Sequence, residues 1–75
     1  MYRRLRYLRE NKNITQRELA DFLNMSQTGY SQYETGRNDI PTNILIKLAK
    51  FYNVPVDYIL EVTDNSTPYK KANKN

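Results

Sequence analysis

The stretch from Thr15 to Glu34 admits few arrangements. Thr15 is a capping residue with Glu18 three positions on, the pairing in which each side chain takes the other residue's backbone amide. Leu19, Ala20 and Leu23 follow at helical spacing and give this first helix one apolar face. Asn24 predicts its end, because asparagine tolerates the left-handed conformation that stops a helix. Met25 then plugs the turn, and Ser26 caps a second helix. Only about three residues connect the two, so their axes must cross steeply.

The second helix has two unlike faces. At about 100° per residue, with Gln27 at zero, Ser31, Thr28 and Gln32 lie near 40°, 100° and 140°, while Tyr33, Tyr30 and Glu34 lie near 240°, 300° and 340°. One side is short, uncharged and rich in hydrogen-bonding groups; the other carries two rings and a carboxylate. A helix kept only for solubility carries lysine and glutamate outward, whereas Gln27, Thr28, Ser31 and Gln32 suit base edges. A glutamine amide offers adenine a donor and an acceptor together, and a threonine methyl can touch that of thymine. The tyrosines stand opposite and belong to a core rather than to a base-stacking platform.

Composition narrows the classes of function. Seventy-five residues make one small domain, burying on the order of 60% of its unfolded surface. The chain has neither cysteine nor histidine, which removes disulfides, the usual zinc ligand sets and the commonest neutral general base. No phosphate-cradling glycine loop or paired carboxylates stand in for them, so the expectation is no enzyme, no metal and no cofactor. No apolar run nears the roughly 18 residues that span a bilayer, which predicts a cytoplasmic protein without membrane contact.

A net charge of +4 favours a polyanionic partner. Yet residues 1–17 carry a local +5 and the last six residues three lysines, while residues 18–69 sum to −4. The polar helix is not itself basic, so salt dependence of DNA binding should be shallow.

Helix 1 is expected from about Tyr2 to Asn11, with Leu5 and Leu8 inward and most arginines outward. Arg9 shares their side and points toward the core, where a charge must be paired. Thr35 to Asp39 reads as a loop, in which Gly36 suits a left-handed position and close approach to a phosphate, with Arg37 and Asn38 as phosphate contacts or, for Asn38, simply a solvated turn. Arg17 either reaches a DNA backbone or stays solvated. Gly29, poor helix design by up to about 1 kcal/mol, either lets a groove wall approach or is tolerated. Pro41 opens helix 4, which runs to about Tyr52 and buries Ile44, Leu45, Leu48, Ala49 and Tyr52. Asn53 breaks it, and Pro55 starts helix 5 with Val56, Ile59 and Leu60 apolar and Asp57 near the positive end of its dipole. From Asp64 the chain turns polar, which divides it into a domain over 1–63 and a flexible polar, basic tail over 64–75 in which Tyr69, Lys70 and Lys71 are solvated or touch a partner.

Residues 4–60 resemble the phage repressor and Cro-type (XRE-type) helix-turn-helix domain. The matching pieces are Leu5 to Arg9, Ile14 to Ala20, Met25-Ser26-Gln27, Tyr33 to Arg37, Ile40-Pro41, Leu48-Ala49 and Asn53 to Leu60. The resemblance implies an all-α, compact five-helix bundle of the lambda repressor-like DNA-binding type, whose third helix enters the major groove. It implies a sequence-specific regulator of transcription, a repressor that occupies a double-stranded operator as a homodimer. It further implies that Gln16 grips a phosphate and that Arg9 pairs with Glu34. Dimer contacts would fall around helix 5, on Tyr58, Ile59 and Val62. One departure is Asn24, where the family often has glycine. A protein-interaction module such as an antitoxin, with DNA binding secondary and a protein partner for the tail, is the other reading the sequence leaves open.

Overall fold

Helix endings set the architecture of the chain. In the computed structural model, which describes residues 2–67, Asn13, Asn24 and Asn53 all take positive φ, between 56° and 58°. Each follows the same pattern of backbone bonds. The asparagine amide reaches back three residues, and the next amide reaches back five: Ile14 to Arg9, Met25 to Ala20 and Val54 to Ala49. This is the Schellman arrangement, in which an apolar residue beyond the left-handed one folds over the last turn; Ile14, Met25 and Val54 are those residues and pack on the core. Glu61 repeats the pattern at φ 63°, with Val62 bonded back to Asp57. A glutamate adopts that conformation at a cost of about 1 kcal/mol, and Arg3 holds it by an ion pair at 2.7 Å.

Among the described residues there are five helices, four of them ended by these stops: α1 (Arg3–Asn11), α2 (Gln16–Phe22), α3 (Gln27–Glu34), α4 (Thr42–Tyr52) and α5 (Val56–Ile59). Both halves of the capping box form at α2, with Glu18 N donating to Thr15 Oγ1 at 3.0 Å and Thr15 N to Glu18 Oε1 at 2.8 Å. Ser26 Oγ accepts the Gly29 amide at α3. A Cβ on Gly29 would stand 3.1 Å from both Met25 Cε and Ser26 Oγ, so local crowding against the cap accounts for the glycine. Pro41 sits at the capping position just before α4 rather than inside its first turn.

Leu5, Leu19, Tyr30, Leu48 and Ile59 are fully buried, one from each helix, with Ala20, Leu23, Tyr33, Ala49 and Tyr52 around them. Ile44 and Leu45 are only half-buried, and Leu60 lies on the surface. Arg4 departs from the expectation for α1. Its guanidinium carbon stands over the Tyr58 ring, 4.2 Å from its centre, and the group donates to the Tyr58 and Thr63 carbonyls and to Asp64. The polar stretch beginning at Asp64 is therefore drawn against α1 at its first residue; Tyr69, Lys70 and Lys71 lie outside the described residues. Among the described residues no helix is long and apolar enough to cross a membrane.

The Tyr52 hydroxyl is buried and has no hydrogen-bond partner among the described residues, and burial pushes its pKa up. A buried donor left unmet is a net loss, so Tyr52→Phe should stabilise the domain by about 1 kcal/mol, read as a higher midpoint in denaturant at unchanged slope.

Candidate nucleic-acid interface

Helix α3 is short because Ser26 starts it and the left-handed Gly36, at φ 80°, turns the chain away from its end. Within those eight residues the two faces separate as the wheel requires: Tyr30 and Tyr33 are buried, Gln27 and Thr28 exposed, Ser31 and Gln32 half-exposed. The rings meet edge to face, 6.2 Å between centres, and hold the helix against the core. Its polar side forms the floor of an open trough of about 610 Å³ lined by Gln16, Gln27, Thr28, Ser31, Gln32, Thr35 and Arg37. Pockets for small molecules of this size are mainly apolar. This one has no apolar side chain in its lining, and the features it offers are amides, hydroxyls and one guanidinium.

The orientation of α3 rests on one carboxylate. Glu34 is buried and accepts four hydrogen bonds: Arg9 Nε at 2.7 Å, Arg9 Nη2 at 3.2 Å, Tyr30 Oη at 2.6 Å and Gln16 Nε2 at 3.1 Å. Arg9 spends its remaining reach on the Ile14 carbonyl at 3.0 Å. Burial by itself would raise the Glu34 pKa, but the bonds from Arg9, Tyr30 and Gln16 outweigh it and hold the carboxyl below its ordinary value. The Tyr30 hydroxyl moves the other way, driven far up by burial and by its bond to Glu34. One side chain thus ties together α1, α2 and α3.

The residues expected at phosphates are placed unevenly. Gln16 and Arg37 reach the trough; Arg17, Gly36 and Asn38 are not in its lining. One amide hydrogen of Gln16 is taken by Glu34, and a side-chain amide carries a second. The Gly36 amide donates to the Tyr33 carbonyl, so a phosphate there would gain from the missing side chain and not from that N–H. Asn38 donates through its side chain to Gln32 at 2.6 Å. Thr35, which the sequence reading passed over, also lines the trough; its place one residue past the helix on the Ser31 side was the available signal.

The expected dimer contacts need one correction. Ile59 is fully buried, because a helix of only four residues must give its central apolar side chain to the core. Tyr58 is half-buried beneath Arg4, and Val62 is 72% exposed. Among the described residues, no group of three metal-ligating side chains occurs.

Comparison with known proteins places this geometry. The helix-turn-helix family profile matches residues 5–59. An uncharacterized HTH-type transcriptional regulator, YobD of Bacillus subtilis, is 38% identical over 87% of this chain and 58% of its own length. The HTH-type transcriptional regulator ImmR of the same organism is 40% identical over 77% of this chain and 46% of its own. The transcriptional repressor RstR of the cryptic phage CTXphi from Vibrio cholerae is 28% identical over 95% of this chain and 64% of its own. The chain therefore spans roughly half the length of the curated relatives it matches. No solved structure matches it.

Proposed function

Because the chain belongs to the helix-turn-helix family of the phage repressor and Cro type, we propose that it is a sequence-specific double-stranded DNA-binding regulator of transcription that represses by occupying an operator. The observation that carries this is the polar, uncharged face of α3 left open at the surface while its tyrosines anchor it from behind. Eight residues make a rod of about 12 Å, comparable to the width of the major groove. Gln27, Thr28, Ser31 and Gln32 meet base edges. Gln16, Arg17, Gly36, Arg37 and Asn38 flank them along the phosphates, with the positive end of the α2 dipole on the same side as Gln16. The work is recognition and not catalysis, and its place is the cytoplasm, where the DNA is. A two-fold operator would be met by a dimer with half-sites about 34 Å apart, using the surface around Tyr58 and Val62.

Selection of bound duplexes from a random pool tests the reading. The wild-type protein should enrich one sequence as two inverted half-sites. Gln27→Ala and Gln32→Ala should each flatten preference at one or two positions per half-site, a loss of roughly 5- to 100-fold in discrimination, with melting temperature unchanged. Recovery of unenriched DNA by the wild type would refute operator reading, and a single unrepeated half-site would refute the dimer.

A further inference from the structure

Two arginines of α1 order a stretch of chain that the core does not hold. From residue 60 to residue 67 no side chain is buried, and Val62 is 72% exposed. Polar contacts give the stretch its path. The Val62 and Thr63 amides donate to the Asp57 carbonyl at 2.8 and 3.4 Å, and the Asn65 and Thr67 amides donate to Thr63 Oγ1 and Asn65 Oδ1. The bonds from α1 are unequal. Arg3 pairs with Glu61 through a side chain that is 75% exposed, where water screens the attraction. The Arg4 side chain is only 20% exposed. Its guanidinium joins the carbonyl of Tyr58, within α5, to that of Thr63, beyond it, with the Tyr58 ring beneath; such charge-assisted bonds strengthen away from water. Its third partner, Asp64, is 97% exposed and adds little.

Closure is opposed from within. Glu61 stands at φ 63°, a left-handed backbone that is costly for glutamate, and ordering the residues after it costs conformational entropy that no apolar burial offsets. A segment with exposed backbone bonds and no packed side chain lies at the low-stability end of a fold. We propose that residues 60–64 are a strap that opens and closes on the otherwise folded domain, with Arg4 as its latch. Closed, the strap is tied to the start of α1, Arg4 covers one face of the Tyr58 ring, and Val62 is held outward on a fixed turn. Open, that ring face and the Arg4 guanidinium are uncovered together. No residue of the strap or of α1 lines the trough, so the strap sets the α1–α5 side of the domain independently of the polar face of α3.

Amide hydrogen exchange on the free protein tests this apart from any reading of DNA. In Arg4→Ala the Val62 and Thr63 amides should exchange about tenfold faster or more, while amides in the middle of α2 and α4 keep their rates within about twofold. Arg4→Lys keeps the charge but lacks the planar fork that spans both carbonyls, so it should not restore protection. Arg3→Ala and Asp64→Asn should each change the strap by less than about threefold. Glu61→Asn places there the residue that takes the left-handed backbone at Asn13, Asn24 and Asn53, and it should slow strap exchange by about threefold. Should Arg4→Ala fail to fold, the opposed shifts in Arg4→Lys and Glu61→Asn decide instead. Strap exchange in Arg4→Ala that stays within twofold of wild type, that rises equally with every helix, or that Arg3→Ala matches overturns the latch. A Glu61→Asn strap that exchanges as fast as wild type overturns the opposition between strain and closure on which the strap depends.

Discussion

Glu34→Ala is expected to lower the unfolding free energy by about 3–5 kcal/mol, the cost of leaving a buried charge without its partner. The variant strands the Arg9 guanidinium with only the Ile14 carbonyl and strips the Tyr30 hydroxyl of its acceptor. A domain of this size has on the order of 5 kcal/mol in total, so much of the population should be unfolded near room temperature. The same carboxylate gives the fold an acid limit. Its folded-state pKa lies below the ordinary 4.5, so its contribution is complete above that value and is lost as pH falls through the folded pKa. Denaturant titrations across that range should show wild type weakening under acid, and Glu34→Ala, already deprived of the group, changing less. A deficit under about 1 kcal/mol near neutral pH would mean that Arg9 and Glu34 behave as a solvated surface pair.

Thr28→Glu should abolish operator binding while the fold survives. Thr28 is exposed in the first turn of α3, where a carboxylate is favoured by the helix dipole, so thermal stability should hold or rise slightly. On the trough floor, however, that charge would face base acceptors and nearby phosphates, and like charges brought together in an interface cost several kcal/mol. Affinity for the selected duplex should fall by roughly 100-fold or more. Binding retained within tenfold would place the DNA on another face. The contrast with Glu34→Ala matters: one variant keeps the fold and loses the ligand, the other loses the fold.

Local rules made much of this legible from residues alone. A capping box, the asparagine stops at Asn24 and Asn53 and the facing of α3 each depend on side chains within eight consecutive positions, and the structure follows them; the stop at Asn13 was not read. Arg9 is within the same reach, because it shares a face with Leu5 and Leu8 on one helix. What the sequence did not disclose are contacts made by the chain's return path. Gln16 joins Arg9 on Glu34 only once α2 and α3 have crossed, whereas the Tyr30 hydroxyl stands one turn back on the same helix. Asn38 meets Gln32 only because Gly36 reverses the loop. Arg4 folds onto Tyr58, 54 residues away, where helical periodicity carries no information. Ile59 was misplaced for a related reason: four residues are too few for a period to say which side is inward.

The labour on α3 is divided between two sets of positions. Ser26, Tyr30, Tyr33 and Glu34 fasten the helix, while Gln27, Thr28 and Ser31 make none of the hydrogen bonds that fasten it. The lettering of such a helix can be exchanged with little disturbance to its frame. On the operator reading proposed above, substitutions at Gln27, Thr28 and Ser31 therefore change the preferred sequence and leave the frame in place.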